Sequence, residues 1–206
     1  MAIILHRDAP MLKAAAVTGY LGAAALFISN IWGSIVVPDH DWVADTVSDL
    51  AAGRYEYIQD IGLYGYALAL MALAIALSHL HTGHSRWGLG VAALGITALL
   101  VTIIGARNEY GDRDSDGVEV HIYLVYAMGV TFTVAFAALA EGLDALRPRY
   151  RAISYACAVI WAVGAVIFFT LPTEWDGLWE RGLGLLTMVW VVAVSTGLLG
   201  YVRRFE

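Results

Sequence analysis

The sequence predicts an all-α polytopic membrane protein: a bundle of six transmembrane helices with one short interfacial helix between helices one and two. Two observations carry this. Of 206 residues, 60% are hydrophobic and 15% charged, with a mean hydropathy of +0.68, against roughly 45–50% apolar residues in a soluble domain. The apolar residues also gather into six stretches free of Asp, Glu, Lys and Arg, at residues 14–37, 61–80, 87–105, 122–140, 152–171 and 183–202. Each is close to the ~20 residues that cross the hydrocarbon core as a helix. The connections leave no linker long enough to separate folding units, so residues 1–206 are expected to form one membrane domain.

Charge sets the orientation. Six crossings place both termini on one side, and that side carries eight Lys and Arg residues against four on the other. Short basic loops stay in the cytoplasm, so both termini are expected inside the cell. Acids are distributed the other way, fourteen outside against four inside, which leaves the outer segments at −10 and the inner ones at +4. Acidic residues contribute little to topology. A cation-rich outer surface, a cationic ligand and a merely solvated loop face all fit them. The overall charge of −6 and the lack of a basic, aromatic-interleaved groove disfavour nucleic acid, and no such partner is expected.

Helix one is too long for a signal-peptide core and lacks a small-residue cleavage site, so it reads as a retained anchor. Ala15, Gly19 and Ala23 recur at spacing four, a stripe along which another helix backbone can approach closely. Ser29 and Asn30 are its polar residues toward the outer end, and an amide at that depth requires a partner, a neighbouring helix or a ligand. Between helices one and two, Val43, Val47 and Leu50 share one helical face, with Trp42 alongside. Asp41, Asp45, Ser48 and Asp49 share the other. Asp39 or Asp41 is suited to capping and Gly53 to a left-handed stop, which predicts an interfacial or re-entrant helix over residues 41–52.

Helix two ends in a turn containing His79, His81 and His84. No Cys or carboxylate stands beside them and their directions diverge, so the turn is a poor metal site. After helix three, Asp112, Asp114, Asp116 and Gly117 reproduce the D-x-D-x-D-G opening of a calcium loop. Tyr123 occupies the place of the closing Glu, and Glu119 comes four residues early. A weakly bound calcium and an ordinary acidic turn both fit these residues. Cys157, the single cysteine, falls inside helix five as a buried packing residue. Trp32, Trp42, Tyr55, Tyr57, Trp175 and Trp179 outside, with Trp87, Tyr150, Tyr155 and Tyr201 inside, read as interfacial belts. Trp161 and Trp190 lie in mid-span and read as packing.

Within the spans only His79 is ionisable, which argues against a pump or proton relay. Mid-depth histidines that could ligate haem are lacking. What remains is a set of polar groups at the outer helix ends: Asp60 before helix two, Arg107 after helix three, His121 opening helix four, and Glu180 with Arg181 opening helix six. Joined by Ser48 and Asp49, they would bind a lipid headgroup or small ligand, through Arg181 and Arg107 in particular. In catalysis, His121 would serve as base or metal ligand with Asp49 or Glu180 as partner, in hydrolysis of a lipid-linked substrate. Helix capping and Glu–Arg pairing would account for the same residues without a ligand. His40, the other candidate titrating near neutrality, falls in a loop expected to be mobile.

Three short motifs stand in a suggestive order: Val47-Ser48-Asp49-Leu50 before helix two, His121 at the head of helix four, and Gly177-Leu178-Trp179-Glu180-Arg181 leading into helix six. In these, and over about residues 14–202, the chain resembles the domain-of-unknown-function 998 family of prokaryotic six-helix membrane proteins. One departure is Ala106-Arg107-Asn108-Glu109, where the family pattern has a Phe-Pro pair followed by an acid. The resemblance implies a six-helix bundle in a prokaryotic plasma membrane and little chemistry. Two roles are therefore carried forward. The first is an outward-facing site for a lipid headgroup or small ligand. The second is a non-catalytic scaffold, assembling with itself or a larger complex through its small-residue stripes. A pocket between helices two, four and six favours the first, and a sealed bundle the second.

Overall fold

A computed structural model describes residues 2–80, 82–106 and 120–204. Among them the chain is all-helical: α1 (Ala2–Val36), α2 (Val47–Leu50), α3 (Tyr57–Ser78), α4 (Trp87–Ala106), α5 (Val120–Leu143), α6 (Pro148–Phe168) and α7 (Asp176–Val202), with 3₁₀ turns at Gly53–Tyr55 and Thr173–Trp175. Every helix but α2 carries a segment long and apolar enough to cross a membrane, so the chain is a multi-pass membrane protein. Large apolar side chains such as Leu21, Ile35, Leu68 and Val159 point outward from it, exposed, as a lipid-facing surface requires.

The six long helices form a ring in sequence order, each packed on the next, with α7 closing back on α1. Asp8 at the start of α1 meets His79 at the end of α3 (3.9 Å), and Arg204 donates to the carbonyl of Leu146 (2.8 Å). Both chain ends and the turns near residues 79 and 146 thus lie together, at the terminal end. Residues 37–56, called here the strap, lie at the other.

Small residues explain why α1 sits between α3 and α7. An added Cβ at Gly19 would collide with Ser195 of α7, and one at Gly22 with the backbone of Gly65 on α3. In lipid there is little hydrophobic drive for helices to associate, so such close approach supplies the dispersion contact instead. Ala15 and Ala23 are buried with them. The stripe read from the sequence is therefore consumed inside the bundle and leaves no free face there for a partner.

At mid-depth the ring is plugged by aromatics. Phe132 packs on Trp161 (centroids 4.9 Å apart) and on Phe136 (5.3 Å), which in turn packs on Trp190 (5.0 Å). Their indole N–H groups are satisfied in place, Trp190 by Ser154 Oγ (2.9 Å) and Trp161 by the Gly129 carbonyl (2.9 Å), as burial in hydrocarbon demands. Trp161 and Trp190 are packing residues, as expected. Trp87 and Tyr150 are not belt residues: both are buried, and Trp87 donates to the carbonyl of Leu77 (3.0 Å).

Three further expectations are corrected. The helices outrun their apolar stretches, with α3 starting at Tyr57 and α7 at Asp176. A hydropathy stretch stops at the first charge, whereas a helix stops where its backbone amides lose their partners. Asp60 and Arg181 consequently lie inside membrane-crossing helices, while His79, expected as the lone ionisable group of the spans, is the residue just beyond the end of α3. The helix expected over residues 41–52 is reduced to α2. Asp41 caps one turn, its carboxylate accepting from the amides of Val43 (2.9 Å) and Ala44 (3.3 Å). Thr46 is extended and starts a second turn through a capping box with Asp49. The carbonyls that a continuous helix would need at residues 42–45 are instead taken by α7. Gly53 does adopt the expected left-handed conformation (φ 76°).

Candidate functional site

The strap is latched to the bundle by one side chain. Arg181, in the second turn of α7, is 7% exposed, and its N–H groups meet acceptors from three directions. Nε donates to Asn30 Oδ1 on α1 (3.1 Å), Nη1 to the carbonyls of Asp45 (2.7 Å) and Trp42 (3.1 Å), and Nη2 to His40 Nε2 (2.8 Å), with Ser34 Oγ at 3.5 Å. The guanidinium also lies 5.0 Å from the Trp42 ring centroid, within cation–π range. These acceptors are neutral, and among the described residues no carboxylate pairs with Arg181. The first amides of α7 complete the latch, Gly177 donating to the Ala44 carbonyl (3.1 Å) and Leu178 to that of Val43 (2.9 Å). A Cβ at Gly177 would collide with the Asp45 carbonyl, so only glycine admits the strap this closely.

His40 is not in a mobile loop. Its side chain is 2% exposed and wedged between Arg181 and Asp45. Arginine can only donate, so His40 Nε2 carries no proton and the ring proton sits on Nδ1, 3.4 Å from Asp45 Oδ2. Burial and then the Arg181 charge hold the His40 pKa below its ordinary value, against the pull of Asp45, Asp49 and Asp41. The sign follows. Below about pH 6.5 an unlatched strap binds a proton that the latched one refuses, so the contribution of His40 to the latch is fully present above that pH and is lost as pH falls through the lowered value. Thermal melting in detergent is expected to fall between about pH 7 and pH 5, and His40→Gln to flatten that dependence.

Beside the latch, α2 brings other candidates together. Ser48 Oγ is 3.3 Å from Nε2 of His121, which is buried at the start of α5. Glu180 Oε2 accepts from the amide of Val47 (2.7 Å). Asp49 Oδ2 accepts from the amide (2.6 Å) and hydroxyl (2.8 Å) of Thr46, so its carboxylate serves the capping box. Asp60 makes none of these contacts. It lies in the first turn of α3, and its Oδ1 is buried without a hydrogen-bond partner among the described residues. Arg107 and the calcium-loop residues Asp112, Asp114, Asp116 and Glu119 lie outside the described residues. Among those described, no three His, Cys, Asp or Glu side chains converge as a metal site.

Between the strap and the aromatic plug lies a cavity of about 820 Å³, partly open to the exterior, at the upper end of the ~300–1,000 Å³ typical of ligand pockets. Its walls come from α1, α3, α4, α5, α6 and α7 and are almost wholly apolar; Phe132 and Trp161 form its floor. Asn30, Trp42, Glu180 and Arg181 line it at the strap end, and Tyr66, Thr133 and Thr187 add hydroxyl-bearing side chains deeper in the bundle. Sequence reasoning missed His40 and the strap backbone as latch components, because the helical periodicity of residues 41–52 carries no sign that the carbonyls there are taken by α7. Asn30 had been marked by its polarity alone.

Fold and site define a six-helix membrane protein with a strap pinned over a cavity in one half of the bundle. The family model described as "Protein of unknown function (DUF998)" matches residues 14–197, and the chain belongs to that family. No curated protein and no solved structure matches it.

Proposed function

We propose that the cavity takes up an amphiphile from the bilayer, its apolar part inside the ring and its polar group at the strap. The protein would sit in a prokaryotic plasma membrane with both termini cytoplasmic, as its basic residues indicate, so the strap and cavity would face outward. The observation that carries this is the cavity itself: its surface is almost wholly apolar, with a few hydroxyls at depth and with Asn30, Glu180 and the buried Arg181 at the strap end. A cavity this large left dry would forfeit the contacts of its lining atoms, and little water suits so apolar a wall. Against a scaffold role stand the hollow bundle and the buried small-residue stripe. A hydrolytic role would use the Ser48–His121 contact. Neither residue lines the cavity, and binding needs neither.

Gly184 supplies the test. It lines the cavity, and an added Cβ there meets nothing within 4 Å, so a larger side chain is expected to take up cavity space. Gly184→Leu is expected to abolish binding of a fluorescent phospholipid by the purified protein while leaving melting unchanged or raised, since glycine costs ~1 kcal/mol within a helix. Undiminished binding in a folded variant would place the lipid elsewhere.

A further inference from the structure

Asn30 stands where the polar mouth of the cavity gives way to its apolar wall. It lies on α1 six residues before Val36, the last of the helix, or about 9 Å below the strap end at 1.5 Å per residue. Its amide is oriented by a neighbour that can only donate. Arg181 Nε lies 3.1 Å from Oδ1, so the oxygen faces the guanidinium and the NH₂ group faces away. Among the described residues nothing accepts from that NH₂, and it is not among the sealed, unpaired groups of the interior. Asn30 thus offers two oriented donors to whatever occupies the cavity.

We propose that Asn30 reads an acyl carbonyl, making the site selective for ester-linked lipids over their ether-linked counterparts. This rests on the amphiphile-binding reading and names its ligand class. In a glycerolipid the strong acceptors at the junction of headgroup and hydrocarbon are the ester carbonyls, and Asn30 occupies the corresponding level of the cavity. An ether lipid keeps the shape and headgroup but loses the carbonyl. A fixed donor facing no acceptor forfeits its hydrogen bond, and one such bond nets roughly three- to tenfold in affinity.

The test is competition against a fluorescent phospholipid on the full-length protein in detergent. The competitors are dipalmitoyl phosphatidylethanolamine and its dihexadecyl-ether counterpart. The wild type is expected to favour the ester by about three- to tenfold. Asn30→Asp keeps an oxygen facing Arg181 Nε but removes the donor, and is expected to bind both lipids alike. Equal affinities in the wild type overturn the inference and leave the cavity's occupant in place. Failure of both lipids to compete removes the occupant and the inference together. A preference that survives in a normally melting Asn30→Asp variant assigns the carbonyl to another residue and overturns the role of Asn30.

Discussion

Arg181→Ala is expected to detach the strap from the bundle. The substitution leaves the carbonyls of Trp42 and Asp45, the amide oxygen of Asn30 and the imidazole of His40 without their donor. A buried acceptor stripped of its partner costs about 1–3 kcal/mol, and such losses do not add fully. With four acceptors stripped at once, a total loss of about 3–5 kcal/mol is expected. Thermal melting measures the loss, and trypsin cleavage at Arg54, just beyond α2, reports the freed strap. Arg181→Lys retains charge without the planar fork that reaches α1 and the strap at once, so it is expected to recover only part of the stability. A variant that melts like the wild type would mean that the Gly177 and Leu178 amides hold the strap unaided.

Gly22→Leu is expected to force α1 and α3 apart. An added Cβ would collide with the carbonyl of Gly65 and stand 2.5 Å from the Cβ of Ala69, and a backbone oxygen cannot move aside as a side chain can. Overpacking costs about 1–3 kcal/mol where side chains yield. Here α1 and α3 must separate along their closest seam, so a loss of about 3 kcal/mol or more is expected. Gly88→Leu, on α4 where nothing lies within 4 Å of an added Cβ, is the matched control and is expected to be nearly neutral. Melting of the two variants side by side checks the contrast.

The six crossings and their order were legible because hydrocarbon imposes a length and composition that few other environments require. The seam of Ala15, Gly19 and Ala23 was legible too, since spacing four names one helical face. Helix limits were not. A charge reads as a boundary in sequence, yet Arg181 is kept inside α7 by acceptors more than 130 residues away in the chain. The same long-range bonds explain why the helix expected over residues 41–52 is shortened to α2: its apolar periodicity was real, but the carbonyls of residues 42–45 belong to α7. Trp87 illustrates the limit of interfacial composition, for a tryptophan near a helix end packs inward when a carbonyl such as that of Leu77 is within reach. For the candidate site, Ser48, His121, Glu180 and Arg181 lie at a common end of the bundle because each stands at or near a helix start on that side. His40 could not be placed among them, because nothing local distinguishes a buried loop histidine from an exposed one.

The occupant of the cavity is tested most directly by native mass spectrometry of protein purified gently from its membrane. The wild type is expected to carry one lipid-sized mass per chain that persists through detergent removal, and Gly184→Leu to carry none. Wild-type protein free of any bound lipid, or both proteins retaining it equally, would contradict the assignment of the cavity as a lipid site.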